Sequence, residues 1–561
     1  MPAPDLLLGL DVGTSSLKAL LIDPAGAGDG ERIPGRVVAE ESCDYPVSTP
    51  RPMWSEQDPY LWWEATCRVL RRLADRRLGG RGGSLLERVA AVGLTGQMHG
   101  LVLLDGRGRL LRPAILWNDQ RTAEQCVQIT QRVGAQRVLE LTGNPVLTGF
   151  TAPKIAWVRQ HEPDLFSRAA HLLLPKDYLR YRLTGEICCD VSDASGTALF
   201  DVGRRQWSQE MIEAVGIPPG WLPQVTESPV VSSRISPAAS AETGLRAGTP
   251  VVAGAGDQAA QALGTGIVRE GLVSITLGTS GVVFAASDHY RVDAFGRLHA
   301  FCHAVPGMWH LMGVMLSAGG SFEWFCTRLG SREWLTGPDR DPRESSTGNQ
   351  SGPGPETGGE PQQRRVADEA GGRSVYEVLI QRAASIAPGC EGLIFLPYLA
   401  GERTPHADPF ARGVFFGLTL RHDIGALARA VMEGVGFGLR DSWELLRELG
   451  ISPAHVRASG GGARSGLWRQ ILADILDVTV ASVNVTAGAA YGAALLAGVG
   501  VGMWKSVPEA ADAAVRVTGE TAPGPARRVY PGYYERYRAL YPALKAEFAA
   551  LAGVAAQQGR A

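Results

Sequence analysis

The stretch Thr249–Ala262, TPVVAGAGDQAAQA, decides how the rest of the chain is read. Val251, Val252 and Ala253 form a short apolar run suited to a buried strand, and Gly254 and Gly256 carry no side chain that could block a ligand. Asp257 stands where that strand gives way to a helix rich in small residues, Ala259, Ala260 and Ala262. A carboxylate held at such a mouth can take a proton from a hydroxyl, the task of a general base. Taken alone, the same residue also reads as a helix N-cap.

Working outward, the chain offers two matching hairpins. Leu6–Leu10 and Leu17–Ile22 are apolar strands around Asp11-Val12-Gly13-Thr14-Ser15-Ser16, and Val273–Phe284, VSITLGTSGVVF, repeats the plan around Gly278-Thr279-Ser280-Gly281. A Gly/Thr/Ser turn aims backbone N–H groups and hydroxyls at one spot, which suits a phosphate, and Asp11 at the strand end suits a hydrated metal ion. A second pair, Val92–Gln97 and Ala458–Ala463, doubles the pattern again. Two copies of one α/β unit facing a central cleft are therefore predicted, divided at 248/249.

Length agrees: 561 residues exceed one ordinary core, and two domains of roughly 250 residues are expected. A net charge of −2 with 20% charged residues argues against nucleic acid or a membrane as the main partner and for a small-molecule ligand. The eight cysteines include no Cys-x-x-Cys pair, and the N-terminus has no basic leader, so reduced thiols in the cytoplasm are expected. No apolar run reaches membrane-spanning length. From 337 to 372 the chain is Gly, Pro, Ser, Thr, Gln and charge, which predicts a mobile surface insertion.

Helices are expected over 60–78, behind a capped start at Trp54–Pro59, and over 427–449, 467–476 and 533–551. Gly434, Gly436 and Gly438 inside the second predict another backbone very close. Met98-His99 lies between glycines, and Trp117-Asn118-Asp119 mixes a ring, an amide and an acid, a combination that suits a polyhydroxylated ligand. Leu172–Leu179 reads as a strand and a helix parted by Pro175, and Asp193–Thr197 as a tight loop, neither carrying chemistry. Ser459–Ser465, SGGGARS, opens a helix with bare backbone on which phosphates or an adenosine can lie. There is no Gly-x-x-x-x-Gly-Lys-Ser/Thr, so a P-loop is excluded, and Gly254-x-Gly256-x-x-Ala259 lacks the distant acid of a dinucleotide fingerprint.

DVGTSS, LGTSG, GAGDQ and SGGGARS together resemble the FGGY carbohydrate kinases, within the actin-like (ribonuclease H-like) ATPase fold. SEQDP, GQMHG, RPAILWNDQR, GFTAPK, LLPKDYLRYRLTGE, FLPYLAGERTPH and GVFFGLT are similar to the members that phosphorylate D-xylulose at its 5-hydroxyl. The resemblance implies ATP and Mg²⁺ as cofactors, Asp257 as catalytic base, and Met98, His99 and Gln258 on the sugar. It also implies Asp11 near the metal, Thr14, Ser15 and Thr279 facing the phosphates, and Gly461, Gly462 and Arg464 on the adenosine side. Gln258 occupies a position where relatives often carry Asn. A kinase for another ketose or polyol, and a non-catalytic actin-like nucleotide switch, are the competing readings. The sequence leaves the oligomer open, a homodimer included.

Overall fold

The computed structural model describes residues 5–26, 33–76, 84–330, 374–485 and 488–558; the insertion expected at 337–372 lies outside the described residues. Two seven-stranded sheets form its frame. The first is built from β1 (Leu6–Val12), β2 (Ser16–Asp23), β3 (Arg36–Asp44), β4 (Val89–Gly96), β5 (Val231–Arg234), β6 (Pro250–Val252) and the two-residue β7 (Ala255–Gly256). Its order is β5-β6-β4-β1-β2-β3, with β7 continuing beside β4. The second is built from β8 (Leu272–Leu277), β9 (Gly281–Ser287), β10 (His299–Cys302), β11 (Trp309–Met315), β12 (His455–Ser459), β13 (Val480–Val483) and β14 (Val517–Thr521), in the order β10-β11-β9-β8-β12-β13-β14.

The duplication read from the hairpins is real at the level of pairing. β1 and β2 are antiparallel, and β1 and β4 parallel; β8 and β9 are antiparallel, and β8 and β12 parallel. β6 beside β4 and β13 beside β12 extend both sheets in the parallel sense. Because β6 is hydrogen-bonded to β4, the first sheet continues past residue 248, where the sequence puts the division.

Continuous apolar runs in β1 follow from burial on both faces. Leu6, Leu8 and Leu10 join a core with Trp62, Val69 and Leu70 of α1 (Pro59–Asp75). Leu7, with Leu20, Ile22 and Ala91, joins Ala490, Ala494 and Leu495. The latter belong to a C-terminal helix, so the second half of the chain covers one face of the first sheet. Asp58 caps α1, accepting from the Tyr60 N–H at 2.9 Å.

The remaining helices that matter for the site are α2 (Asp257–Gly264), α3 (Val375–Ala384), α4 (Ile424–Glu448), α5 (Gly466–Leu476), α6 (Gly488–Gly500) and α7 (Tyr530–Gln558). Gly434 in α4 does meet backbone: a Cβ there would lie 2.2 Å from the Phe395 carbonyl oxygen, whereas Gly436 and Gly438 face the side chains of Ile475 and Met315. α7 packs back on the body through buried Tyr530, Tyr534, Tyr537, Tyr541 and Phe548.

Candidate active site

Asp257 owes its position to strand register. Val12 is level with Gly96, and Gly96 with Gly256, so β1, β4 and β7 end together and the next residue begins α2. Gly256 is the N-cap of α2 and Asp257 its first helical residue, so the carboxylate is not the cap. One step back, Asp11 is level with Thr95, and Thr95 with Ala255, which brings the two acids to one end of the sheet. Burial, and then the charge of Asp11, push the Asp257 carboxyl up to about 7, while part of its surface stays open. Burial likewise lifts Asp11 to about 6 against the pull of Lys18.

Asp11 Oδ1 is buried and has no hydrogen-bond partner. A hard oxygen left unpaired beside a second reluctant carboxylate fits a divalent cation such as Mg²⁺. Among the described residues no group of three acids, histidines or cysteines gathers to hold a metal. Such an ion would therefore keep most of its shell as water and ligand phosphate.

Beneath Asp257 lies a buried ionic cluster. Lys176, Asp177, Asp190 and Asp193 are all fully enclosed. The Lys176 Nζ is 2.5 Å from Asp177 Oδ1, 3.2 Å from Asp190 Oδ1 and 3.7 Å from Asp193 Oδ2. It also donates to the Ala253 carbonyl at 3.2 Å. Asp190 Oδ2 accepts from the Ser192 hydroxyl at 2.5 Å, and the Ser192 Oγ accepts from the Gly256 N–H at 3.1 Å. The segment that delivers Asp257 is thus held at residues 253 and 256 by a single network. The sequence reading gave Leu172–Leu179 and Asp193–Thr197 no chemistry; their charges acquire a purpose only when folding stacks them under β7.

Met98 and His99 meet the same place. Met98 is buried, and a Cβ on Gly256 would lie 2.9 Å from its Sδ, so the glycine before Asp257 makes room for it. His99 has φ +70°, a left-handed conformation unusual for a side-chain-bearing residue. Its carbonyl accepts from Lys154 Nζ at 2.8 Å and Thr151 Oγ1 at 3.1 Å, which hold that conformation. Lys154 is fully buried, and burial lowers it to about 7. His99 stacks on Phe150 at 4.6 Å, and burial depresses it to about 3, so the ring is neutral. Its Nδ1 lies 2.6 Å from the Gly196 carbonyl, which can only accept. Nδ1 therefore carries the proton, and Nε2 is left as an acceptor for a ligand hydroxyl.

The Trp117–Asp119 expectation divides. Trp117 is 39% exposed and donates its indole N–H to Thr14 Oγ1 at 2.9 Å, so it lies against the first hairpin. Asn118 is exposed. Asp119 is fully buried, accepting from the Ser55 N–H at 2.6 Å and from Arg121 through Nε and Nη2. Its oxygens are engaged within the loop itself, by Ser55 and Arg121. Gln258 follows Asp257 on α2 and is half-buried.

The first hairpin turn is braced from outside. Gln57 donates to the Thr14 carbonyl at 3.0 Å, Tyr45 to the Gly13 carbonyl at 2.7 Å, and Thr14 Oγ1 to Gln97 Oε1 at 3.2 Å. Gln57 was missed because it sits in what reads as a helix start. Ser15 is exposed at the tip. On the other side, Thr279, Gly461, Gly462 and Arg464 line a cavity of 740 Å³. Its apolar walls are Phe322, Trp468 and, from α3, Tyr376 and Ile380. Gln261, on α2, donates to Thr276 Oγ1 at 2.8 Å, and Thr276 lies 3.1 Å from Ser459 Oγ. The helix that begins with Asp257 thereby touches the second hairpin and, through Thr276, is linked to the strand before the glycine run. The cavity and the second hairpin are thus joined through Thr276 to the helix that carries Asp257.

Comparison with known proteins agrees with this geometry. Residues 6–264 match the model of the FGGY family of carbohydrate kinases, N-terminal domain, and residues 273–501 that of its C-terminal domain. The chain is 41% identical over 508 residues to the xylulose kinase of Escherichia coli K12, covering 90% of this chain and 92% of that one. It is 36% identical to the xylulose kinase of Bacillus subtilis, covering 95% and 96%. The solved xylulose kinase of Rhodospirillum rubrum, 31% identical, superposes with a TM-score of 0.82 over 97% of this chain and 99% of that one. With a family model on each half and the doubled sheet plan that each half carries, the chain belongs to the FGGY family of carbohydrate kinases.

Proposed function

We propose that this kinase transfers the γ-phosphoryl group of ATP to the 5-hydroxyl of D-xylulose, with Asp257 as general base, in the cytoplasm. The observation that carries the reading is the position and state of Asp257: partly exposed, at the start of α2, and with a carboxyl pushed up to about 7. A base with that affinity for protons is matched to a neutral working pH. As the sugar oxygen bonds to the γ-phosphorus, its proton passes to Asp257 and the bond from that phosphorus to the β-bridging oxygen breaks, releasing ADP. The His99 Nε2 acceptor orients another sugar hydroxyl, and the buried Lys176 network keeps Asp257 from shifting away. Adenosine lies against Trp468 and Phe322 with the glycines of 461–462 beneath it. Asp11, whose buried Oδ1 has no hydrogen-bond partner, would hold Mg²⁺, which when bound would offset the charge of the phosphates. Most of the acceleration then comes from alignment and charge neutralisation, as phosphoryl transfer requires.

The acceptor is tested by an ATP-coupled assay with D-xylulose, D-ribulose, L-fuculose, D-gluconate and glycerol. D-xylulose is expected to give the highest kcat/KM. A higher value for any of the others overturns the assignment while leaving the kinase intact.

A further inference from the structure

Arg403 sits in the second half of the chain, in a segment whose backbone is fastened on either side. The Glu402 carboxylate accepts from the Arg403 N–H at 2.7 Å and from the Leu316 N–H at 3.1 Å. Thr404 donates its N–H to the Val314 carbonyl at 3.0 Å, and its Oγ1 accepts from the Val314 N–H at 3.1 Å. Val314 is on β11, two residues beyond Met312, which pairs with His299 on β10. The His299 ring lies 6.1 Å from that of Phe150, on which His99 is stacked at 4.6 Å. The loop is therefore pinned to the far side of the wall that holds His99. The charge of Arg403 is felt at both imidazoles, disfavouring their protonation.

Among the described residues the Arg403 guanidinium has no hydrogen bond, ion pair or ring contact, although it is only partly open to solvent. Its chain neighbour Glu402 is buried and pushed up to about 8 by that burial, so it supplies little counter-charge at neutral pH. Every other deeply placed cation near the cleft is provided for: Lys154 by two carbonyls, Lys176 by three carboxylates, Arg121 by Asp119 and Glu56. A fork of five N–H donors kept free and partly desolvated, its charge felt at a neutral imidazole acceptor, is complementary to a polyol, which both donates and accepts.

We propose that Arg403 completes the sugar pocket from the C-terminal lobe, donating to hydroxyl or carbonyl oxygens of the acceptor opposite His99. This rests on the D-xylulose reading above. It makes the sugar site a two-lobed one, so that acceptor binding itself favours approach of the lobes.

The test compares wild type with Arg403→Met and Arg403→Lys, measuring KM for D-xylulose and for ATP, kcat, the calorimetric Kd for D-xylulose without nucleotide, and the thermal midpoint. Arg403→Met is expected to raise the sugar KM and Kd at least ~10-fold, the usual size of a charge-assisted hydrogen bond. The ATP KM should stay within about twofold, the Lys variant should recover part of the loss, and the midpoint should hold or rise because an unpaired charge has left a partly buried site. An unchanged sugar Kd in the Met variant overturns the proposal. So does an equal rise in both KM values with a lowered midpoint, the mark of a merely structural arginine. A wild type that neither binds nor phosphorylates D-xylulose overturns the acceptor reading, and this inference with it.

Discussion

At the scale of single residues, Asp257 is where function and stability oppose each other. Its carboxyl is raised from 3.8 to about 7 in the folded chain, so between those pH values the folded state holds a proton that the unfolded state has released. This group therefore favours folding at the acid end of that window, and the advantage is lost as pH rises through about 7. Asp257→Asn removes the cost of ionising there. The variant is expected to melt a few degrees higher than wild type at pH 8, with a smaller difference at pH 5.5, while kcat falls by at least ~10²-fold. Wild-type kcat/KM for the acceptor should decline as pH drops below about 7, because the base must be unprotonated to work. Thermal melts and initial rates across pH 5.5–8.5 check both; near-normal turnover in the variant removes the base assignment.

At the scale of elements, the decisive contact is between α2 and α6. A Cβ on Gly492 would lie 1.9 Å from the Ala260 carbonyl oxygen, and one on Gly9 or Gly93 1.9 Å from the carbonyl oxygens of Ala490 and Ala493. These are backbone clashes, which no side-chain rotation relieves. α6 is accordingly clamped between the first sheet and the helix that carries Asp257. Gly492→Ala must push α2 and α6 apart, and α2 moves its first residue with it. The expected result is a thermal midpoint lowered by roughly 5 °C or more and a kcat reduced about tenfold or more, with the loss in kcat exceeding any change in KM for ATP. Differential scanning calorimetry with steady-state kinetics decides it; a variant as stable and as fast as wild type would show that the two helices are free to slide.

At the scale of the whole molecule, the proposed mechanism serves its two substrates from different stretches of chain. The walls of the 740 Å³ cavity, proposed for adenosine, come from residues 277–468, and Met98, His99 and Asp257 from the first sheet and its extensions, with Gln261 joining the halves. Nucleotide binding should therefore survive loss of the base: ADP at 100 times its Kd is expected to stabilise Asp257→Asn and wild type alike, by about 2.7 kcal/mol. A thermal shift in wild type that is missing from the variant would mean that the acid helps hold the nucleotide. Both hairpins, the doubling of the sheet, the glycine run before α5 and the acid at the start of α2 were legible in the residues, because apolar runs broken by Gly, Thr and Ser are local facts that do not wait for a partner. The surroundings of Lys176, Asp190, Asp193, Gln57, Lys154 and Arg403 were not, nor the burial of Asp119 or the place of β6 in the first sheet. A charged residue reads the same whether it faces water or another charge brought from a hundred positions away, and only the packing of the lobes decides which. Sequence alone thus determined the family, the duplicated plan and the acid at the start of α2; tertiary structure decided how that acid is held, how strongly it keeps its proton, and which polar groups are buried around it, since all three depend on long-range contacts and burial.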